Sequence, residues 1–372
     1  MCGGNLGKRE NTRVAYLFGT GATQAEVAYG NKNVGLLMRD IKDGIRTKIK
    51  ASNALTKRFK KVMNDLIDDK SDVEQLITLY EASGTREHKR LANELKIIFR
   101  QEIQERVQKL GLDFFPTLYA SLIDMHEIVA LKESIVGILT INYESLLETG
   151  VMAVKDGVDY SIVMTNEHTT LKTCYKNVFP LLKMHGSFNW KNAFPIVLKD
   201  DGKIRDADDT LWIPPGAEKK HDRYPFDILW GRAMEVLECD ILRVIGCSLN
   251  RNDWQLISLL HRTQKTRMDR RQYEIELIDY ADTCRSVQNN YNYLQFRLIS
   301  QIFEVRESVI GSLGRSFRNK EKESKAIEQF LENKHLNMFD FWLHAKGEYL
   351  NNSGISIRTA KKIFENYMDV RD

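Results

Sequence analysis

The chain has 372 residues, more than the roughly 100–150 of a typical single domain, which predicts an enlarged core or a core with a smaller companion. Hydrophobic residues make up 42% and charged residues 28%, a balance that supports a buried core and excludes a disordered or fibrous chain. The formal net charge of +4 is too dilute to argue for nucleic acid by itself and suits an anionic ligand equally well.

The opening residues, Met1-Cys2-Gly3-Gly4-Asn5, lack the apolar core of a signal peptide. No apolar run approaches the ~20 residues that span a bilayer, so the expectation is a cytoplasmic protein with no membrane role. The first element is the apolar run Val14-Ala15-Tyr16-Leu17-Phe18, broken by Gly19-Thr20-Gly21-Ala22-Thr23. It predicts a buried strand entering a glycine turn, where a close backbone approach and a helix N-terminus suit a pyrophosphate. A plain structural turn competes on even terms, because glycine turns are common.

From about residue 36 to 126 the pattern changes to helical spacing. Val73, Leu76, Ile77 and Tyr80 fit i, i+3, i+4, i+7, and Leu91, Leu95 and Ile98, then Ile103, Val107 and Leu110, continue it. The expectation is a set of amphipathic helices inserted after the first strand–helix unit. Strand-like runs then resume at residues 134–141, 179–184, 240–245 and 273–278, stopping at Asn142, His185, Gly246 and Asp279. In an open parallel sheet, ligands bind beyond the carboxyl ends of the strands. From about residue 316 the chain becomes highly charged and predicts a small helical C-terminal region.

Each strand end carries a candidate with a structural rival. Asn142, in Thr140-Ile141-Asn142-Tyr143-Glu144-Ser145-Leu146-Leu147-Glu148, can orient a water or a ribose hydroxyl, or can cap a helix. His185, in Lys183-Met184-His185-Gly186-Ser187-Phe188-Asn189-Trp190, can serve as a base near neutral pH, or can be a loop histidine without a task. Gly246-Cys247-Ser248 makes a second phosphate-sized turn, with Asp253 at or near the next helix start, where a capping aspartate is at least as common. Asp279 can accept from ribose hydroxyls, or can lie on the surface. The five cysteines form no C-x-x-C pair, which argues against a zinc ribbon and a disulfide framework.

Taken in order, these segments resemble the sirtuin superfamily, and more closely its bacterial sirtuin-like branch. That family carries a G-A-G-x-S loop, then T-x-N-Y-D-x-L-L-E, K-x-H-G-S-x-x-W and G-x-S-x-x-x-x-D segments, and Trp212-Ile213-Pro214-Pro215-Gly216 is similar to a further family feature. The resemblance spans roughly residues 12–300. It departs at Thr20, at Glu144 and in the absence of the four zinc cysteines of protein-deacylating members. It implies a Rossmann-like α/β domain over residues 12–315, within which the helical spacing predicts an insertion at about 36–126 and after which the charged pattern predicts a helical region at 316–372. It also implies NAD as substrate, with Gly19, Gly21, Ala22 and Thr23 around the pyrophosphate and Gly246 and Ser248 on the cofactor's other side. Asp279 would lie near the adenosine ribose, Asn142 near the nicotinamide ribose, and His185 would be the base. No zinc is expected.

The activity this implies is hydrolysis of NAD to nicotinamide and ADP-ribose by an effector of antiphage defence. A homo-oligomer and a HerA-like ATPase partner are part of the same expectation. The competing reading is a scaffold that senses NAD or ADP-ribose without cleaving it. A nuclease reading rests only on the basic runs at residues 57–61 and 267–271, which more often are solvated helix faces.

Overall fold

In a computed structural model, the described residues are 11–30, 32–52, 59, 72–111, 113–116, 118–120, 122–123, 126, 133–166, 178–193, 196–198, 210–215, 221–268, 273–279 and 281–298. The predicted helical region at 316–372 lies outside them, as do most of the two basic runs.

Residues 14–18 are all buried, as a continuous apolar run must be when it forms a central strand covered on both faces. This strand, β1 (Thr12–Phe18), leads after one residue into helix α1 (Thr20–Tyr29). Three helices follow among the described residues: α2 (Met38–Ala51), α3 (Val73–Ala82) and α4 (Arg86–Gln108). Their starts are written locally. Asp72 accepts from Gln75 N at 2.6 Å and Gln75 returns a bond to Asp72 N, a capping box; Thr85 accepts from His88 N at 3.2 Å. The residues at helical spacing, Val73, Leu76, Ile77, Tyr80, Leu91, Leu95 and Ile98, bury themselves in a hydrophobic core of their own, separate from the main one.

The α/β pattern resumes with β2 (Glu133–Thr140), α5 (Leu146–Met152), β3 (Gly157–Asp159), β4 (Met164–Asn166), β5 (Val178–Lys183), β6 (Gly186–Lys191), β7 (Ile196–Leu198) and β8 (Thr210–Trp212). Then come α6 (Phe226–Val236), β9 (Ile241–Ile245), a 3₁₀ turn (Arg251–Asp253), α7 (Trp254–Met268), β10 (Glu274–Ile278), α8 (Ala281–Asn290) and β11 (Arg297–Leu298). Seven strands form one sheet in the order β11-β10-β9-β1-β2-β5-β3. Every neighbouring pair is parallel, which makes this the Rossmann-like α/β sheet expected from the sequence. The chain leaves β1 toward β2 on one side and returns later to β9 on the other. The connections after β1 and β9 therefore lead to opposite sides of the sheet, which makes this pair of strand ends its topological switch point.

A second sheet, in the order β4-β7-β6-β8, was not expected. The run containing His185 does not simply stop there. The chain turns through Met184-His185 and re-enters as β6, with Gly186 at φ +74. A side chain at Gly186 would meet Leu211 O at 2.4 Å, so only glycine permits the turn. Strands of three to six residues with mixed polarity leave little periodic signal.

The sheet interior also holds one buried charge cluster. Arg243 of β9 donates to Glu276 at 2.8 Å and through two nitrogens to Glu133 at 2.9 and 3.1 Å, and it touches the Tyr16 hydroxyl at 3.2 Å. The two carboxylates offset the cost of burying the guanidinium. Tyr16 O–H pairs with His126 Nδ1 at 2.7 Å, and burial together with the Arg243 charge lowers the imidazole to about 3, so it stays neutral.

Candidate functional site

The residues after β1, β2, β5, β9 and β10 converge on one cavity of about 290 Å3 at the carboxyl ends of the strands. Helices α2, α3 and α4 supply its opposite wall through Leu37, Met38, Ile41, Glu74, Phe99 and Ile103. Of the residues singled out in the sequence, Gly19, Gly21, Thr23, Asn142, His185, Gly246, Ser248 and Asp279 all line it. Ala22 instead is buried in the main core behind this wall.

The glycines have a reason beyond ligand approach. A side chain at Gly19 would meet Gly246 O at 2.6 Å, one at Gly21 would meet the same oxygen at 2.9 Å, and one at Gly246 would meet Ala22 N at 2.1 Å. Gly19 N donates to Ile245 O at 3.0 Å, Gly21 N to Gly246 O at 2.8 Å and Ala22 N to Gly19 O at 3.1 Å. The two loops are thus stitched backbone to backbone, and these three N–H groups already have partners. What the turn presents to the cavity is the N-terminal end of α1 with its positive dipole end, together with the Thr20 and Thr23 hydroxyls.

Asn142 is not a helix cap, because the N-cap of α5 is Ser145. Its backbone N–H donates to Thr140 Oγ1 at 3.1 Å, and its side-chain Nδ2 donates to Thr23 Oγ1 at 2.9 Å. Thr20 Oγ1 donates to Asn142 Oδ1 at 3.4 Å. Thr23 uses its full capacity: it donates to Glu144 Oε1 at 2.6 Å and accepts from Asn142, and its oxygen lies 2.9 Å from the Tyr119 hydroxyl. Burial raises the Glu144 carboxyl above its ordinary range, although Lys183 and the Thr23 bond oppose this. Lys183, fully buried, donates to Glu148 at 2.7 Å and to Glu144 O at 2.5 Å. The segment carrying Asn142 and the segment carrying His185 are therefore locked together by a buried ion pair.

His185 is 3% exposed, and its carbonyl accepts from Ile213 N at 2.8 Å. Its Nε2 lies 3.4 Å from Asp253 Oδ1, and Asp253 also lines the cavity. An aromatic group stands beside it. Tyr143 stacks on Phe188 with ring centroids 5.0 Å apart and meets Trp212 edge-on at 5.3 Å. The Tyr143 hydroxyl donates to Ile213 O at 3.0 Å. Burial, with the Glu74 charge, pushes that hydroxyl well above its ordinary range, so it remains a donor.

Glu74, Glu144, Asp253 and Asp279 line the cavity, and no lysine or arginine does so among the described residues. An anionic ligand would meet a helix end and hydroxyls here rather than a cationic side chain. No group of three or more His, Cys, Asp or Glu side chains among the described residues is arranged to hold a metal ion. Glu74 and the apolar residues of α2 and α4 were not legible as site residues, because nothing in a helical repeat reveals which edge faces a cleft. Asp253 was legible as a helix-start aspartate and as the last position of the G-x-S-x-x-x-x-D segment, but not as a neighbour of His185. What the arrangement offers chemically is a carboxamide fixed by two hydroxyls, an imidazole facing a carboxylate, and a carboxylate at a further strand end.

No protein-family model and no curated protein sequence matches the chain. Among solved structures it is similar to a Sir2 homologue, a serine-to-alanine mutant in complex with ADP-ribose, with 14% identity over 88% of this chain and 96% of that chain and a TM-score of 0.35. The strand order and the all-parallel pairing, independently of that likeness, make the fold Rossmann-like.

Proposed function

We propose that this chain is an NAD glycohydrolase, cleaving NAD to nicotinamide and ADP-ribose. The observation that carries the reading is the convergence of Asn142 and His185 on one cavity at the sheet's switch point, the place where open α/β sheets bind nucleotides. The dinucleotide would lie across the strand ends with its pyrophosphate at the start of α1 and the Gly246–Ser248 turn. Asp279 would accept from the adenosine ribose.

The C1′–nicotinamide bond breaks and its electron pair goes to the ring nitrogen, so nicotinamide leaves as a neutral group. A water oxygen bonds to C1′. Asn142, held by Thr23 and Thr20, orients that water or the neighbouring ribose hydroxyl, and His185 takes the proton the water releases. The resemblance of the motifs to sirtuin-like defence proteins extends the reading to a cytoplasmic effector that depletes NAD, works as a homo-oligomer and pairs with a HerA-like ATPase. No helix among the described residues is long and apolar enough to cross a membrane.

The test is product analysis of NAD incubated with the full chain, alone and with the candidate ATPase. Equimolar nicotinamide and ADP-ribose are expected. Cyclic ADP-ribose as the main product would replace hydrolysis with cyclisation, and bound but intact NAD under every condition would favour a sensing scaffold.

A further inference from the structure

Asp253 is the group in the cavity wall whose placement the reaction above leaves unexplained. It is 4% exposed, and its Oδ1 lies 3.4 Å from His185 Nε2, with the imidazole itself 3% exposed. The loop that delivers it is built at a cost. Gly246 and Leu249 both take positive φ, +58 and +49, and for a leucine that conformation is strained. The Tyr291 hydroxyl clamps the Leu249 carbonyl at 2.6 Å, the Asn250 side chain accepts from Asn252 N at 3.0 Å, and Asp253 N donates to Asn250 O at 2.8 Å. Two left-handed residues and three hydrogen bonds thus converge to set one carboxylate against one imidazole.

We propose that Asp253 is the positioning residue of His185. It holds the imidazole through Nε2, fixes its orientation in the cavity wall and favours its protonated form. The chemistry is that of any imidazole base backed by a buried carboxylate: the charge stabilises the imidazolium that forms, without itself taking the proton. Among the described residues, other titratable groups near the ring include Tyr143 and His221, with centroids 6.1 and 6.2 Å away, and Glu74, Glu144, Cys247 and Asp279 on the cavity walls. Tyr143 stays neutral. The role of Asp253 in turnover rests on the glycohydrolase reading; its effect on the imidazole does not.

The experiment separates the two. Histidine-labelled full chain is titrated by NMR, with the His185 signal assigned by its loss in His185→Gln, in the parent and in Asp253→Asn and Asp253→Glu. An opposite charge this close favours the protonated ring, so Asp253→Asn should lower the His185 pKa by about one unit, and Asp253→Glu should restore most of it. NAD cleavage by Asp253→Asn should fall at least about tenfold in kcat with KM nearly unchanged, and the acidic limb of its pH profile should move down with the pKa. A His185 pKa indifferent to Asp253→Asn overturns the proposal. A shifted His185 with no NAD cleavage in the parent leaves the pair standing and overturns the glycohydrolase reading instead.

Discussion

Thr23 shows how much one small side chain can organise. Its hydroxyl joins Asn142, Glu144 and Tyr119, which come from two different parts of the chain, and all three lie in or beside the cavity wall. A valine of the same shape would leave a buried amide, a buried carboxylate and a buried phenol each short of a partner. Thr23→Val is therefore expected to cost about 1–3 kcal/mol in denaturant unfolding and to lower kcat for NAD cleavage at least about tenfold, with a smaller effect on KM. Loss of stability with kcat unchanged would mean that Asn142 does not depend on Thr23 for its orientation. At this scale the sequence was partly readable. Asn142, His185 and the glycines could be named because polar or glycine residues closing apolar runs point to strand ends. Their partners could not, because Thr23 and Asn142 are 119 positions apart and His185 and Asp253 are 68 apart, and no local pattern encodes such contacts.

The elements around the site depend on close backbone contact and on one buried acid. At Gly246 the left-handed backbone and the approach of α1 act together, since even a methyl group would reach Ala22 N. Gly246→Ala is expected to destabilise the fold by about 3 kcal/mol or more, as measured by chemical denaturation. A cost below about 1 kcal/mol would show that the two loops can separate cheaply.

Glu26 of α1 is 1% exposed and accepts from Leu118 N at 3.0 Å and Tyr119 N at 2.9 Å. Burial raises its carboxyl from 4.5 to about 7 in spite of those bonds. A raised acid holds its proton more tightly in the folded state, so between pH 4.5 and about 7 the folded chain binds more protons than the unfolded one. Stability from this group is present at the acid end and declines as pH rises, by on the order of 3 kcal/mol across the window. Glu26→Gln should flatten that decline, which urea midpoints at several pH values would reveal. An identical slope in both proteins would place the titration elsewhere. The helices at 73–82 and 86–108 were legible from their 3.6-residue spacing; the second sheet was not, because strands this short carry too few alternations.

On the scale of the whole molecule, the cavity lies where two cores meet. The main core surrounds the parallel sheet, and the second belongs to α2, α3 and α4. Tyr143 and Trp212 pack against the second core from the sheet side, and Asn252 donates to Glu74 of α3 at 3.3 Å. Tyr143, next to Asn142 in the chain, is thus one of the residues that contact the helical wall. Fold class was readable from strand-end punctuation, because a buried parallel sheet demands continuous apolar runs. That the inserted helices wall the cleft was not readable, since amphipathic spacing shows that a helix has a buried face but not what it covers.

The proposed chemistry requires that Asn142 and His185 act together on one bound NAD. The most direct measurement follows nicotinamide release and NAD binding side by side in the parent chain, Asn142→Ala and His185→Ala, each with and without the candidate ATPase. Nicotinamide release by the parent, its loss by at least about a hundredfold in both variants and retained NAD binding in all three are expected. Cleavage that persists in either variant, or a parent that binds NAD and releases nothing in any condition, would contradict it.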